Sequence, residues 1–233
     1  MSRLRTDAVL PQGSEKARVV RTMFDAVAPR YDLVNRIMTF GLDRRWRRAT
    51  VTALGLPGRS RVVDLACGTG DLCADLVTAG LTPIGFDMSS GMLSTAHTKV
   101  PLVQADVVAL PLADGSVDGA TCGFALRNLV DLPSFLAELA RVVRPGGRIG
   151  LLEVAEPSNP LLRAGHHFYF NRVVPRIGAA LSDGTAYRYL PRSVVYLPPV
   201  DALVGAVAAA GFPDVRRRTF SGGVVQLLVA TRS

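Results

Sequence analysis

Short apolar runs and helix-spaced apolar stripes alternate along most of this chain. Runs at Arg61–Ala66, Pro83–Phe86, Leu102–Ala105, Gly119–Gly123 and Arg148–Leu152 have the length and bounding turn residues of buried strands. Between them, at Gly70–Ala79, Ser90–Ala96 and Leu132–Val143, apolar side chains recur every three or four residues and predict helices. Arg144-Pro145-Gly146-Gly147 stops the last of these helices and opens the fifth strand. Such alternation predicts an α/β fold, a largely parallel sheet with helices on both faces. Ahead of it, Glu15–Arg48 carries helical spacing through Val19, Met23, Phe24 and Val27, then Leu33, Val34, Ile37 and Met38, with a break at Pro29. After the fifth strand the rhythm stops. Pro157–Pro199 is rich in aromatic, basic and proline residues, and its place after that strand predicts a helical cap over the carboxyl ends of the sheet. A helix at Val200–Ala210 and strands at Val215–Phe220 and Val224–Ala230 bring the sheet to seven. The expected organisation is one domain in four parts: an N-terminal helical addition (1–55), a cofactor-binding core (56–156), a substrate cap (157–199) and a C-terminal helix with a strand hairpin (200–233).

The chemistry concentrates in the first turn of the core. Asp64-Leu65-Ala66-Cys67-Gly68-Thr69-Gly70-Asp71 sets two glycines one residue apart between a strand and a helix, and the next strand ends in Asp87. In this layout the glycines let backbone approach an adenosine-containing ligand, and the acid takes the ribose hydroxyls. A dinucleotide fingerprint needs a third glycine where Cys73 stands, and no Lys-Ser or Lys-Thr follows to cradle a triphosphate. Asp71 beside the turn repels a pyrophosphate and tolerates a cation. S-adenosylmethionine, with an adenosine, a sulfonium, an ammonium and no phosphate, satisfies all three conditions.

Composition narrows the setting. The apolar fraction is 48%, enough for a real core. The most apolar long stretch, Val194–Ala210, is interrupted by Pro198, Pro199 and Asp201 and does not read as a membrane span. The polar N-terminus lacks the apolar core of a signal peptide. Three cysteines without CxxC spacing predict a reduced cytoplasmic protein with neither disulfide nor structural metal. Net charge is +8, with clusters at Arg44, Arg45, Arg47 and Arg48 around Trp46 and at Arg216–Arg218. Those clusters are compatible with a nucleic acid, an anionic membrane surface or a solvated helix face. No Asn-Pro-Pro-Tyr-type base-flipping motif follows the fourth strand, so nucleic acid is not expected as a partner.

Several segments together resemble the ubiquinone/menaquinone biosynthesis C-methyltransferases. They are Met23-Phe24-Asp25-Ala26-Val27-Ala28-Pro29-Arg30-Tyr31-Asp32-Leu33-Val34-Asn35, Gly41–Trp46, Phe124-Ala125-Leu126-Arg127-Asn128, Pro175-Arg176-Ile177-Gly178, Tyr187-Arg188-Tyr189-Leu190 and Ser221-Gly222-Gly223-Val224-Val225. The resemblance covers nearly the whole chain. It implies a seven-stranded class I methyltransferase (Rossmann-like) sheet and methyl transfer from S-adenosylmethionine to a ring carbon of a demethylmenaquinol-like prenylated quinol. Carried over residue by residue, Asp64, Ala66, Gly68, Thr69, Gly70, Asp87, Met88, Asp106, Val107 and Gly123 would bind the cofactor. Arg127 and Asn128 would handle the proton at the ring, and Tyr31 would close over the reacting groups. His166, Tyr169 and Tyr187 in the cap would face substrate. A peripheral contact at the inner face of the membrane, through Arg44–Arg48, and a homodimer are further expectations. The chain departs from the family at Pro191-Arg192, where a glutamate is common, and at Leu228, where many relatives carry histidine. Two other readings stay open at this point: the same chemistry on another aromatic or polyketide-like acceptor, and cofactor binding without methyl transfer.

Overall fold

Seven strands form one mixed sheet in the computed structural model, which describes residues 12–181 and 184–233. The polar N-terminal stretch 1–11 and residues 182–183 of the cap lie outside the described residues. The strands are β1 (Arg61–Leu65), β2 (Thr82–Asp87), β3 (Leu102–Gln104), β4 (Val117–Gly123), β5 (Val143–Val154), β6 (Arg216–Phe220) and β7 (Val225–Thr231). Their spatial order is β3-β2-β1-β4-β5-β7-β6. The first five run parallel, with Val63 opposite Ile84 on one side and Ala120 on the other. Strand β7 lies antiparallel between β5 and β6, pairing Leu151 with Leu228 and Arg217 with Leu228. The order reverses between β1 and β4, which opens a crevice beyond their carboxyl ends.

Both faces of the sheet are covered. Adjacent residues of a strand point to opposite faces. Val62 accordingly packs with Val51 and Leu54 of α3 (Asp43–Leu54) and with Leu72 and Leu76 of α4 (Asp71–Thr78). Val63 packs with Phe135 and Leu139 of Leu132–Val142 and with Leu203 and Val207 of Val200–Ala209. Strand β5 starts earlier than the apolar run suggests. Val143 already pairs with Val117, and the register then jumps to Gly119 opposite Arg148, so 144–147 form an irregularity within the strand.

The N-terminal addition breaks twice rather than once. Helix α1 (Gly13–Val27) ends in a single turn at Ala28–Arg30, and α2 (Tyr31–Met38) follows. A second break separates α2 from α3. Phe40 and Gly41 both take left-handed backbone, with φ of 53° and 73°. Gly41 N–H reaches back to the Arg36 carbonyl at 2.8 Å, the closure that ends a helix at a left-handed residue.

The cap consists of Pro160–Phe168, a wide turn at Tyr169–Val173, Val174–Leu181 and Gly184–Ser193. Pro175 has no N–H to continue a regular helix from Asn171, which accounts for the wide turn before it. The cap packs on the N-terminal helices and on the short helix Ser90–Ser94: Tyr187, Ile177, Leu181 and Leu190 cluster with Val27 and Val34 and with Met92. Gly178 makes this possible, because a Cβ there would stand 2.1 Å from Tyr187 Cγ. Gly178→Ala is therefore expected to destabilise the protein by about 1–3 kcal/mol through overpacking. Thermal unfolding measures it, and an unchanged midpoint would show that the cap yields without cost.

Candidate cofactor site and active site

The turns beyond β1, β2, β3 and β4 and the inner face of α1 enclose a cavity of about 300 Å³. Ala66 and Gly68 enter it from the first turn, Asp87 and Met88 from the second, Asp106 and Val107 from the third. Gly123, Phe124, Ala125 and Asn128 follow from the fourth, and Tyr31 with Ser14, Ala17, Val20 and Phe24 forms the roof. In the first turn Ala66, Gly68 and Gly70 all have left-handed backbone, with φ of 53°, 57° and 86°. A Cβ on Gly68 would meet no protein atom within 4 Å, and one on Gly123 would meet only Leu72 Cδ2 at 3.7 Å. The missing side chains leave room against bare backbone, as close approach of a ligand requires.

Asp87 is 7% exposed at the end of β2. Its Oδ2 accepts Gly68 N–H and its Oδ1 accepts Ser89 N–H, each at 2.8 Å, so the carboxylate is held rigidly towards the cavity wall. Burial raises its pKa. Each oxygen retains lone-pair capacity for a ribose hydroxyl. Asn128 also lines the cavity, and its Oδ1 is buried without a hydrogen-bond partner among the described residues. An orphaned acceptor in a cavity is the mark of a group that completes its bonding with a ligand. The glycine cradle, the fixed acid and this acceptor fit an adenosine-bearing cofactor with a polar co-ligand.

The remaining candidates lie around the cavity. Asp64, 1% exposed, accepts Thr121 Oγ1 at 2.8 Å and Cys73 Sγ at 3.4 Å beneath the glycine turn. Burial pushes its pKa to about 7. Thr69 Oγ1 donates to Asp32 Oδ1 at 2.7 Å, which ties α2 to the same turn. Gly70 packs on Thr98. Arg127, 4% exposed, is paired with the fully buried Glu153 and also donates to the Phe124 carbonyl at 2.9 Å and to Ser193 Oγ at 3.2 Å. It braces the turn that carries Asn128 and is not among the residues lining the cavity. In the cap, His166 stacks on Phe170 and His167 Nε2 lies 2.6 Å from Glu156 Oε1. Tyr169 donates to the Met38 carbonyl at 2.8 Å, and Tyr187 packs on Gly178. None of these cap side chains is among the cavity-lining residues. Among the described residues no group of three His, Cys, Asp or Glu is placed to hold a metal ion.

Sequence reasoning overlooked the part played by α1. Its Ser14, Ala17, Val20 and Phe24 recur at helical spacing and so mark one face, but nothing local says that this face covers a ligand site rather than ordinary core. Lys16 anchors the helix: it is 5% exposed, donates from Nζ to the Leu129 carbonyl at 2.6 Å and stands 3.7 Å from the centre of the Tyr196 ring. Burial lowers its pKa from 10.5 to about 8. Between those values the unfolded chain holds a proton that the folded protein has released, so this group's contribution to stability improves as pH rises. Relative to Lys16→Met, the wild type is expected to gain up to about 1.4 kcal/mol per pH unit across that window. Denaturant titrations near neutrality and at alkaline pH test this. A difference independent of pH would mean that the amine is solvated.

Residues 12–232 match the ubiE/COQ5 methyltransferase family. The chain is 40% identical over 231 residues to the ubiquinone/menaquinone biosynthesis C-methyltransferase UbiE of Geobacter sp. (strain M21), covering 94% of this chain and 98% of that one. It is 43% identical over 217 residues to the demethylmenaquinone methyltransferase of Mycolicibacterium paratuberculosis, covering 92% and 94%. Among solved structures, an S-adenosylmethionine-dependent methyltransferase from Thermotoga maritima superposes with a TM-score of 0.60 at 18% identity, over 91% of this chain and 99% of that one, which establishes the shared fold. The chain belongs to the ubiE/COQ5 methyltransferase family and is an S-adenosylmethionine-dependent methyltransferase.

Proposed function

We propose that this protein methylates a ring carbon of a demethylmenaquinol-like prenylated quinol. The observation that carries the reading is that the cavity lined by Gly68, Asp87 and Asp106 is also lined by Tyr31, Asn128, Phe24, Leu129 and Val130. A flat hydroquinone needs such a lining, apolar for the ring and polar for its hydroxyl. The relatives' names supply the substrate class.

S-adenosylmethionine supplies an electrophilic methyl on a sulfonium. The chain's own residues position the two partners, which lowers the entropic part of the barrier. Gly68 would approach the methionine portion of S-adenosylmethionine, Asp87 would take the ribose hydroxyls, Asp106 with Val107 would flank the adenine, and Gly123 would lie beside the cofactor. Asn128 Oδ1 accepts the quinol hydroxyl proton in a hydrogen bond, which moves electron density into the ring. Burial raises the pKa of Tyr31, so its phenol stays protonated and can donate a hydrogen bond to a substrate oxygen. Arg127 is paired with Glu153 and serves by fixing the Phe124–Asn128 turn. Water carries away the proton that the ring carbon loses when aromaticity returns.

The prenyl tail implies work beside a bilayer. Leu33, Ile37 and Phe40 are exposed at α2 and the following turn, as are Leu161 and Phe168 in Pro160–Phe168. Tyr169 joins the two groups, with its ring 5.8 Å from that of Phe40. This face, flanked by the exposed Arg36, Arg44 and Arg45, suits peripheral contact with an anionic cytoplasmic leaflet. Trp46 does not contribute: it is buried and donates to Ser221 Oγ at 3.1 Å. Arg47 is likewise committed, to Asp43, Asp71 and Asp75. Among the described residues no single helix is long and apolar enough to cross a membrane.

Product mass after incubation with S-adenosylmethionine and chemically reduced demethylmenaquinone in anionic vesicles tests the whole reading. Gain of one methyl on the ring supports it. Methylation of a soluble dihydroxynaphthalene alone would move the substrate to another aromatic acceptor.

A further inference from the structure

A carboxylate on α1 reaches the back of the cofactor wall. Asp25 Oδ1 accepts Ser89 Oγ–H at 2.6 Å and Gly91 N–H at 2.9 Å. Ser89 in turn gives its backbone N–H to Asp87 Oδ1 at 2.8 Å, and its hydroxyl accepts Met92 N–H at 3.1 Å. The other oxygen of Asp87 holds Gly68 N–H. An unbroken run of hydrogen bonds therefore links Asp25, Ser89, Asp87 and the glycine turn. The approach is close: a Cβ on Gly91 would stand 2.8 Å from Asp25 Cα and 3.0 Å from the Asp25 carbonyl oxygen. Asp25 itself is not among the cavity-lining residues, whereas Ser14, Ala17, Val20 and Phe24 of the same helix are.

We infer that Asp25 is a positioning residue that aims Asp87 at the cofactor and couples the docking of α1 over the cavity to cofactor binding. The inference rests on the assignment of Asp87 to the cofactor made above. Three features support it. First, Asp25 and Lys16 are polar anchors at the two ends of the cavity-facing stretch of α1, one on the turn after β2 and the other on the segment after β4. Second, Asp25 is brought close to another carboxylate, which disfavours ionisation of Asp87. The cost of that proximity is offset by the bonds of Asp25 to Ser89 and Gly91 and by Arg21, whose Nε lies 4.0 Å from Asp25 Oδ2. Third, those bonds disappear if α1 lifts, because Ser89 Oγ–H and Gly91 N–H then lose their acceptor. Whatever favours the docked helix thus favours the ordered Asp87 wall. By linkage, a cofactor that engages Asp87 must favour the docked helix by the same factor. Substrate, which needs the roof supplied by Phe24 and Tyr31, would then find a complete site only after the cofactor has bound.

The test is S-adenosylmethionine affinity by calorimetry, with hydrogen exchange of the α1 amides followed with and without that ligand. Asp25→Leu removes the acceptor, while Asp25→Asn keeps an Oδ1 acceptor and relieves the repulsion. Asp25→Leu is expected to bind about tenfold or more weakly, and Asp25→Asn within about twofold of wild type. Added S-adenosylmethionine should slow exchange across 13–27 in the wild type and in Asp25→Asn but not in Asp25→Leu. Ser89→Ala cuts the same run while leaving Asp25 on Gly91, and covers the case in which Asp25→Leu does not fold. It is expected to weaken binding about three- to tenfold. Wild-type affinity in Asp25→Leu or in Ser89→Ala, or ligand protection of α1 that persists in Asp25→Leu, would overturn the inference. A wild-type protein that failed to bind S-adenosylmethionine would instead sink the cofactor assignment itself.

Discussion

Arg127→Leu is expected to lose about 3–5 kcal/mol of folding stability, the usual consequence of stranding one member of a buried ion pair. Glu153 is 0% exposed. Its Oε1 is bonded to the guanidinium and to Val154 N–H at 2.8 Å, and its Oε2 accepts Arg127 N–H at 3.2 Å. Leucine would leave that carboxylate with backbone donors only and no compensating charge. It would also release the Phe124 carbonyl and Ser193, so the Asn128 turn and the start of Val194–Tyr196 would loosen together. Denaturant unfolding measures the loss. The double variant Arg127→Leu/Glu153→Leu is expected to recover most of it, because apolar replacement of both partners removes the stranded charge. Stability and activity then separate. If the double variant is stable, binds S-adenosylmethionine and still turns over at more than about a tenth of the wild-type rate, Arg127 acts only as a brace. If it is stable and inactive, the guanidinium also acts at the reacting ring, as the family resemblance implies.

Asp87→Ala is expected to weaken S-adenosylmethionine binding by about two to four orders of magnitude. A charge-assisted hydrogen bond to a ribose hydroxyl contributes about 1.5–3 kcal/mol, and two of them are at stake. The alanine also frees Gly68 N–H and Ser89 N–H, so the glycine turn loses the acceptor that fixes it. Asp87→Asn should fall between the two. Its amide can accept only one of those N–H groups, and its NH2 would face the other, donor against donor. Calorimetric titration with S-adenosylmethionine reads all three proteins. Equal affinities would remove Asp87 from the cofactor site and with it the reading of the whole wall.

The fold and the glycine-and-acid lining of the cavity were legible because their signals are local. An apolar run followed by Gly68 and Gly70 and then a helical stripe fixes a strand, a tight turn and a helix from fewer than about twenty consecutive residues. The parallel strand order then brings Ala66, Asp87, Asp106 and Gly123 to one cavity with little freedom left. The second break in the N-terminal helices was legible in part, since Gly41 marks the left-handed turn, but Phe40 beside it carries no such mark.

What the sequence by itself determined was therefore the chain of strands, turns and helices and the glycine-and-acid wall they carry. Tertiary structure alone decided which way the longer side chains point. Arg127 finds Glu153 26 residues away, Asp25 finds Ser89 64 residues away, and Trp46 turns inward to Ser221 175 residues away. Tyr187, which the family resemblance turns towards substrate, packs against Gly178. The physical reason is that hydrogen bonding and turn geometry act over a few residues and leave a periodic trace, whereas the burial of a charge or a ring depends on the partner that another segment brings to it.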